Sequence, residues 1–293
     1  MTQQPLPPQE TTVPVCPRHP DRESRTRCQR CGRPACWECQ RPAAVGFQCV
    51  DCVREQARES RPTVTVLGGR AASDGRPLVT MTIIALCVLG YLLQTARPAI
   101  TEQLDFVPAY GAAEPWRTLT SAFLHVNLLH LGTNMLSLWF IGPYVESLLG
   151  RARFVAVYAL SAFGGSLGLL LLTPAPGIDA SQAQVAAWYT AAVGASGAIS
   201  GVFLALVILN RHLGRATAGV GFVIMLNVAL PLILHGIAWQ AHLGGAVTGV
   251  VAAALLTALR PAARQRWVWP ALAGLGLVLV GAYVGVYASA GLV

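Results

Sequence analysis

From residue 78 onward the chain is dominated by apolar stretches long enough to cross roughly 30 Å of hydrocarbon, and few folds can hold such a sequence. Seven helices are expected, near 78–95, 129–149, 153–172, 193–210, 217–234, 239–259 and 268–289. In lipid every backbone amide and carbonyl must be satisfied within the chain, which leaves a helical bundle for segments of this length. Charge divides the chain in the same place. Residues 1–77 carry 12 Arg and 8 acids, whereas 78–293 carry 9 Arg and 5 acids. With 54% hydrophobic and 12% charged residues, a soluble enzyme, a disordered tail protein and a secreted disulfide scaffold are excluded. The expected fold is an all-α polytopic membrane domain over 78–293. Ahead of it stand a disordered arm (1–15), a small Cys-rich domain (16–52) and a polar linker (53–77).

Orientation follows from Arg in the short loops. Arg70 and Arg76 precede the first span, Arg151 and Arg153 follow the second, Arg211 and Arg215 the fourth, and Arg260, Arg264 and Arg266 the sixth. The alternate loops hold only Arg97 and Arg117. The N-terminus is therefore expected in the cytoplasm and the C-terminus outside, in a bacterial cell membrane, and no signal peptide is recognised. The half-apolar stretch 96–128 is expected to fold against the outer leaflet. The net charge of +8 is carried by Arg without a single Lys. It shows neither an aromatic-lined cluster nor a reading helix, so no nucleic-acid partner is expected.

Polar residues within spans are costly and are functional candidates. Ser196 lies 15 residues before Arg211 and His242 18 before Arg260, so they sit roughly 22 and 27 Å above that boundary. Asn134, 17 before Arg151, reaches roughly 26 Å. Three helices thus bring polar groups to a similar depth, and the residue types suit acyl transfer. A serine hydroxyl needs a base, for which neutral imidazole is the usual choice. His130 and Asn134 share a helix face and can both donate to a developing oxyanion. Gly194 and Gly197 flank the nucleophile with little bulk. Gly245 and Gly249 can bring the sixth helix close to Gly197 and Gly201 of the fourth. Glu146, the one acid well inside a span, lies about 24 Å from His130 along its helix and cannot orient His242. The chemistry expected is a Ser–His dyad, with Glu146 a structural anchor.

These residues carry a resemblance. Trp116-Arg117, the run His130-Leu131-Gly132-Thr133-Asn134, Glu146, Gly194-Ala195-Ser196-Gly197, and Ala241-His242-Leu243-Gly244-Gly245 with Gly249 together resemble the rhomboid intramembrane serine proteases over 78–260. The resemblance implies a six-helix core plus one C-terminal span, with Ser196 as nucleophile and His242 as base. His130, Asn134 and the Ser196 amide would form the oxyanion hole, and the outer end of the fifth helix with the following loop would gate entry of transmembrane protein substrates. Many relatives carry an aromatic ring four residues after the nucleophile to stack on the base. Ser200 stands there instead, so His242 is either held less firmly or packed by another ring such as Phe203. The alternative function is an inactive rhomboid-like client-binding or adaptor protein.

Before the spans come four ligand pairs: Cys16/His19, Cys28/Cys31, Cys36/Cys39 and Cys49/Cys52. Eight such ligands close two structural zinc sites with no open position. Disulfides are the rival reading, disfavoured by the cytoplasmic placement. The module resembles a B-box-type or treble-clef finger. By analogy with cross-braced fingers, Cys16, His19, Cys36 and Cys39 would share one ion and Cys28, Cys31, Cys49 and Cys52 the other, sequential pairing being the alternative. A cytoplasmic protein partner is expected for it.

Overall fold

The computed structural model describes residues 13–59, 63–72, 74–216 and 238–292. The span expected at 217–234 and the gating role attached to it lie outside the described residues. The chain divides into two units, 1–62 and 63–293.

The first unit is small and built around sulfur. β1 (Val15–Cys16) pairs antiparallel with β2 (His19–Glu23), and β3 (Gln40–Pro42) with β4 (Phe47–Cys49), which runs into α1 (Val50–Glu59). Six of its Cys residues, with Ala35 and Val50, make the buried cluster. A core of that size cannot hold such a unit together by apolar burial alone.

The second unit is helical. Its long elements are α2 (Leu78–Ala96), α5 (Leu128–Leu149), α6 (Arg151–Leu172), α8 (Ser196–His212), α9 (Trp239–Ala258) and α10 (Val268–Ser289). Among the described residues, four helical segments are long and apolar enough to cross a membrane: Leu78–Ala96, Arg151–Leu172, Trp239–Ala258 and Ala262–Ser289. The stretch after α2 is folded, through α3 (Ala99–Leu104), α4 (Arg117–Thr120) and two short 3-10 turns. A further short helix, α7 (Gln182–Trp188), precedes α8 and opens on a Ser181/Gln184 capping box.

Small residues hold the centre. α6, α8 and α9 meet through Gly164, Gly165 and Gly168, Gly197 and Gly201, and Gly244, Gly245 and Gly249. A Cβ at Gly245 would collide with the Gly197 carbonyl, and one at Gly249 with the Gly201 carbonyl. Lipid tails are as apolar as leucine, so such close backbone approach, rather than hydrophobic burial, drives helices together in a membrane. α5 and α6 are separated by Gly150 alone, at φ +78°. Glu146, near the end of α5, is buried. Its carboxylate accepts from Val79 N–H (3.1 Å), Thr80 N–H (2.9 Å) and Thr80 Oγ1 (2.8 Å), amides in the first turn of α2 that lack helical partners. Its anchoring role is therefore exercised on a helix terminus.

Residues 63–72, expected as linker, are instead packed on the Arg-rich end of the bundle. Thr65 N–H donates to the Gly69 carbonyl (2.7 Å) across a tight turn, and Leu67 is fully buried. Arg153 donates to the Leu67 carbonyl (2.6 Å), the Gly68 carbonyl (3.0 Å) and Gln265 Oε1 (2.7 Å). A buried guanidinium needs such acceptors, and this turn supplies two of them.

Candidate active site

α8 opens at Ser196, and the turn delivering it depends on Gly194, whose φ of +133° disfavours any side chain. Gly194 N–H donates to the Ser121 carbonyl (2.9 Å), while Ala192 exchanges backbone hydrogen bonds with Phe106 (2.8 and 3.0 Å). The approach to Ser196 is thus bound to the folded stretch after α2. That stretch is fixed internally by Arg117, buried, whose guanidinium meets the Asp105 carboxylate (2.6 Å), the Asp105 carbonyl (2.9 Å) and Glu114. Trp116 beside it is half exposed.

His130 comes to the same place from α5. Asn127 caps that helix by accepting from His130 N–H (2.8 Å), which fixes its first turn. A Cβ added to Gly194 would stand 2.7 Å from His130 Cε1, 3.0 Å from its Nε2 and 3.6 Å from Ser196 Oγ. The imidazole and the hydroxyl therefore border one small space. Asn134, one turn on and buried, donates through Nδ2 to the His130 carbonyl (2.8 Å), which uses one of its two amide protons. His125, wholly buried, lies edge-on to His130 with ring centroids 5.2 Å apart. Burial, reinforced by the His130 ring, pushes the His125 imidazole down to about 4, so it stays uncharged.

His242 lies in the first turn of α9 and is buried. Its Nδ1 is 3.3 Å from the hydroxyl of Ser200, a wholly buried residue one turn after Ser196. Ser200 therefore engages the histidine edge-on by a hydrogen bond, where a ring would stack on its face. Phe203 is buried in the main apolar core. Gly197, Gly201, Gly245 and Gly249 lie in the α8–α9 contact, which sets the distance between the two helices.

A Rhomboid domain family model matches residues 112–259, half of the chain. The chain belongs to the rhomboid family. It is 31% identical over 196 residues to Rhomboid protease GluP of Bacillus subtilis (strain 168), covering 62% of this chain and 36% of that protein. RHOMBOID-like protein 1 of Arabidopsis thaliana is 34% identical over 155 residues, 50% of this chain and 36% of that protein. Uncharacterized protein Mb1372 of Mycobacterium bovis (strain ATCC BAA-935 / AF2122/97) is 29% identical over 194 residues, 62% and 77% respectively. This rhomboid chain thus spans about a third of the length of the first two. With its apolar helices, the family makes it an integral membrane protein.

Within the helical unit, motif reading missed the φ of Gly194, the Ser200–His242 contact and Asp105. Only Asp105 left a signal, as one of three acids in a stretch that also holds Arg117. Outside the helical unit, the Cys-rich unit of this rhomboid protein brings eight side chains into two groups. Cys16, His19, Cys36 and Cys39 form one, and Cys28, Cys31, Cys49 and Cys52 the other, with ligand atoms in each within 4.8 Å of one another. His19 Nδ1 lies 3.2 Å from Cys36 Sγ and 3.4 Å from Cys39 Sγ, and Cys31 and Cys49 sulfurs are 3.8 Å apart. Tetrahedral ligation with metal–sulfur bonds of about 2.3 Å requires ligand separations of that order. In the second group, burial would push the Cys28 thiol up, but backbone amides of Cys31, Cys49 and Arg30 outweigh it and bring it down to about 6, whereas burial and the neighbouring thiols push Cys52 up to about 12.

Proposed function

We propose that this rhomboid protein is an intramembrane serine endopeptidase that cuts transmembrane segments of other membrane proteins near the outer face. In this reading Ser196 Oγ attacks the scissile carbonyl carbon while its proton passes to His242 Nε2. The carbonyl oxygen becomes an oxyanion, met by His130, the remaining Asn134 Nδ2 proton and the Ser196 amide. When the C–N bond breaks, the imidazolium returns its proton to the departing nitrogen. Water then attacks the acyl-serine, with His242 again taking and returning a proton, which frees the new carboxyl end and restores Ser196. The observation that supports this most directly is the space at Gly194, bordered by both the Ser196 hydroxyl and the His130 ring.

The Arg-rich helix ends would face the cytoplasm, which puts the Ser196 end toward the outside. The Cys-rich unit would hold two structural zinc ions on the two ligand groups. Closed four-ligand sites of that kind stabilise a fold and leave no position for a reactant. The test is cleavage of generic transmembrane substrates by the full chain in liposomes. Ser196→Ala and His242→Ala should each abolish turnover while the protein stays folded, since members of such a unit lose activity together. Turnover by Ser196→Ala at the wild-type rate would refute the protease reading.

A further inference from the structure

We infer that Ser200 is the positioning residue of the base: its hydroxyl accepts the Nδ1–H of His242 and so assigns Nε2 to the Ser196 proton. The inference rests on the protease reading above. A neutral imidazole carries one proton, and the nitrogen that takes the serine proton must be the bare one. Nδ1 must then hold the hydrogen, and that hydrogen needs an acceptor because the site is buried. Ser200 Oγ, 3.3 Å away and without solvent exposure, provides it. Were the hydroxyl to donate instead, Nε2 would carry the proton and the ring could not act as base.

The backbone explains why so short a residue suffices. Gly197 and Gly201 flank Ser200 on α8, and each touches a glycine of α9, Gly245 and Gly249 respectively. At that separation a hydroxyl reaches His242 directly. Ser196 and Ser200 are four residues apart, hence on one face and about 6 Å apart along the axis. An imidazole with a hydrogen bond at each nitrogen can bridge that spacing. Among the described residues, Glu146, the acid buried in α5, is committed to the start of α2 and does not serve this task. A neutral acceptor orients the ring and stabilises the imidazolium less than a carboxylate would. At metal sites, loss of the partner behind a ligating imidazole costs about 10–100-fold, and a drop of the same order is expected here.

The experiment compares wild type, Ser200→Ala and Ser200→Thr as full-length chains in liposomes. Three quantities are read: kcat and KM for a generic transmembrane substrate, the rate of Ser196 labelling by a fluorophosphonate, and the unfolding midpoint. Ser200→Ala should lower kcat and the labelling rate about 10–100-fold with KM nearly unchanged. Ser200→Thr, which keeps the hydroxyl, should restore most of both. Wild-type kcat in Ser200→Ala would overturn the inference and leave the protease reading standing. So would a rise in KM alone, or a fall in kcat matched by a collapsed unfolding midpoint that Ser200→Thr shares. Absence of both turnover and Ser196 labelling in the wild type would remove the protease reading, and this inference with it.

Discussion

Gly194→Ala should damage catalysis far more than folding. The added methyl would meet His130 Cε1 at 2.7 Å, whereas ordinary contact begins at 3.4 Å, so the ring must retreat by about 0.7 Å. The backbone is strained as well, because a φ of +133° is a conformation that costs a residue with a Cβ about 1–3 kcal/mol. The residues before Ser196 are tied to Phe106 and Ser121 by backbone hydrogen bonds, so the methyl cannot retreat and it is the His130 ring that must turn aside. Displacing a reacting or stabilising group by up to 1 Å costs about 10²-fold, the same order as losing one oxyanion donor. We therefore expect kcat to fall about 100-fold or more, while the unfolding free energy drops by only about 1–3 kcal/mol. Initial rates in proteoliposomes measure the first quantity and reversible unfolding in mixed micelles the second. Gly281→Ala in α10, where an added Cβ would meet nothing within 4 Å, is the matched control. If Gly194→Ala kept its kcat within about threefold of wild type, His130 would not be the group whose position matters, and the reasoning about that space would be wrong.

Two other perturbations follow from the packing. Glu146→Gln keeps the shape of the side chain but presents an amide group where three donors converge, so stability should fall by about 2–4 kcal/mol in mixed-micelle unfolding. A change below about 0.5 kcal/mol would mean that the first turn of α2 is satisfied otherwise. Elemental analysis should find about two Zn per chain, lost on strong chelation or in Cys28→Ser/Cys31→Ser, with residues 16–52 unfolding. A chain beginning at residue 63, which keeps the turn on Arg153, should still cleave a generic substrate, and complete inactivity of that folded chain would give the Cys-rich unit a place in catalysis.

Much of the bundle was legible because spans and polar intrusions obey simple periodicities. The sequence-based spans at 78–95, 129–149, 153–172, 239–259 and 268–289 fall within a few residues of α2, α5, α6, α9 and α10. α8 starts at Ser196, three residues later than expected, because Gly194 holds a conformation that no helix continues. The linker misled for a different reason. Polarity and glycine in 63–72 resemble chain that cannot bury itself, yet the turn is held by backbone carbonyls, which sequence patterning does not display. Ser200 was legible only as a departure from the family pattern. Its partner lies 42 residues away on another helix, brought within reach by the close glycine contacts between the two helices.

The C-terminal helix α10 shows what polar contacts add to a bundle in which apolar burial cannot choose between neighbours. α10 is mostly exposed along its length, as a lipid-facing helix should be, yet both of its ends are fastened by specific hydrogen bonds. Near its C-terminus, Tyr283 donates to the Gly111 carbonyl (2.8 Å) and Tyr287 to the Pro108 carbonyl (2.7 Å), within a second buried cluster that includes Phe106 and Trp188. Just before its N-terminus, Gln265 joins the Leu67 and Leu259 carbonyls and the Arg153 guanidinium. Phe106 in turn exchanges backbone hydrogen bonds with Ala192, four residues before Ser196. A helix that would otherwise drift in lipid is thereby locked in rotation and height. The segment it grips continues, by backbone bonds alone, to the turn that presents the candidate nucleophile.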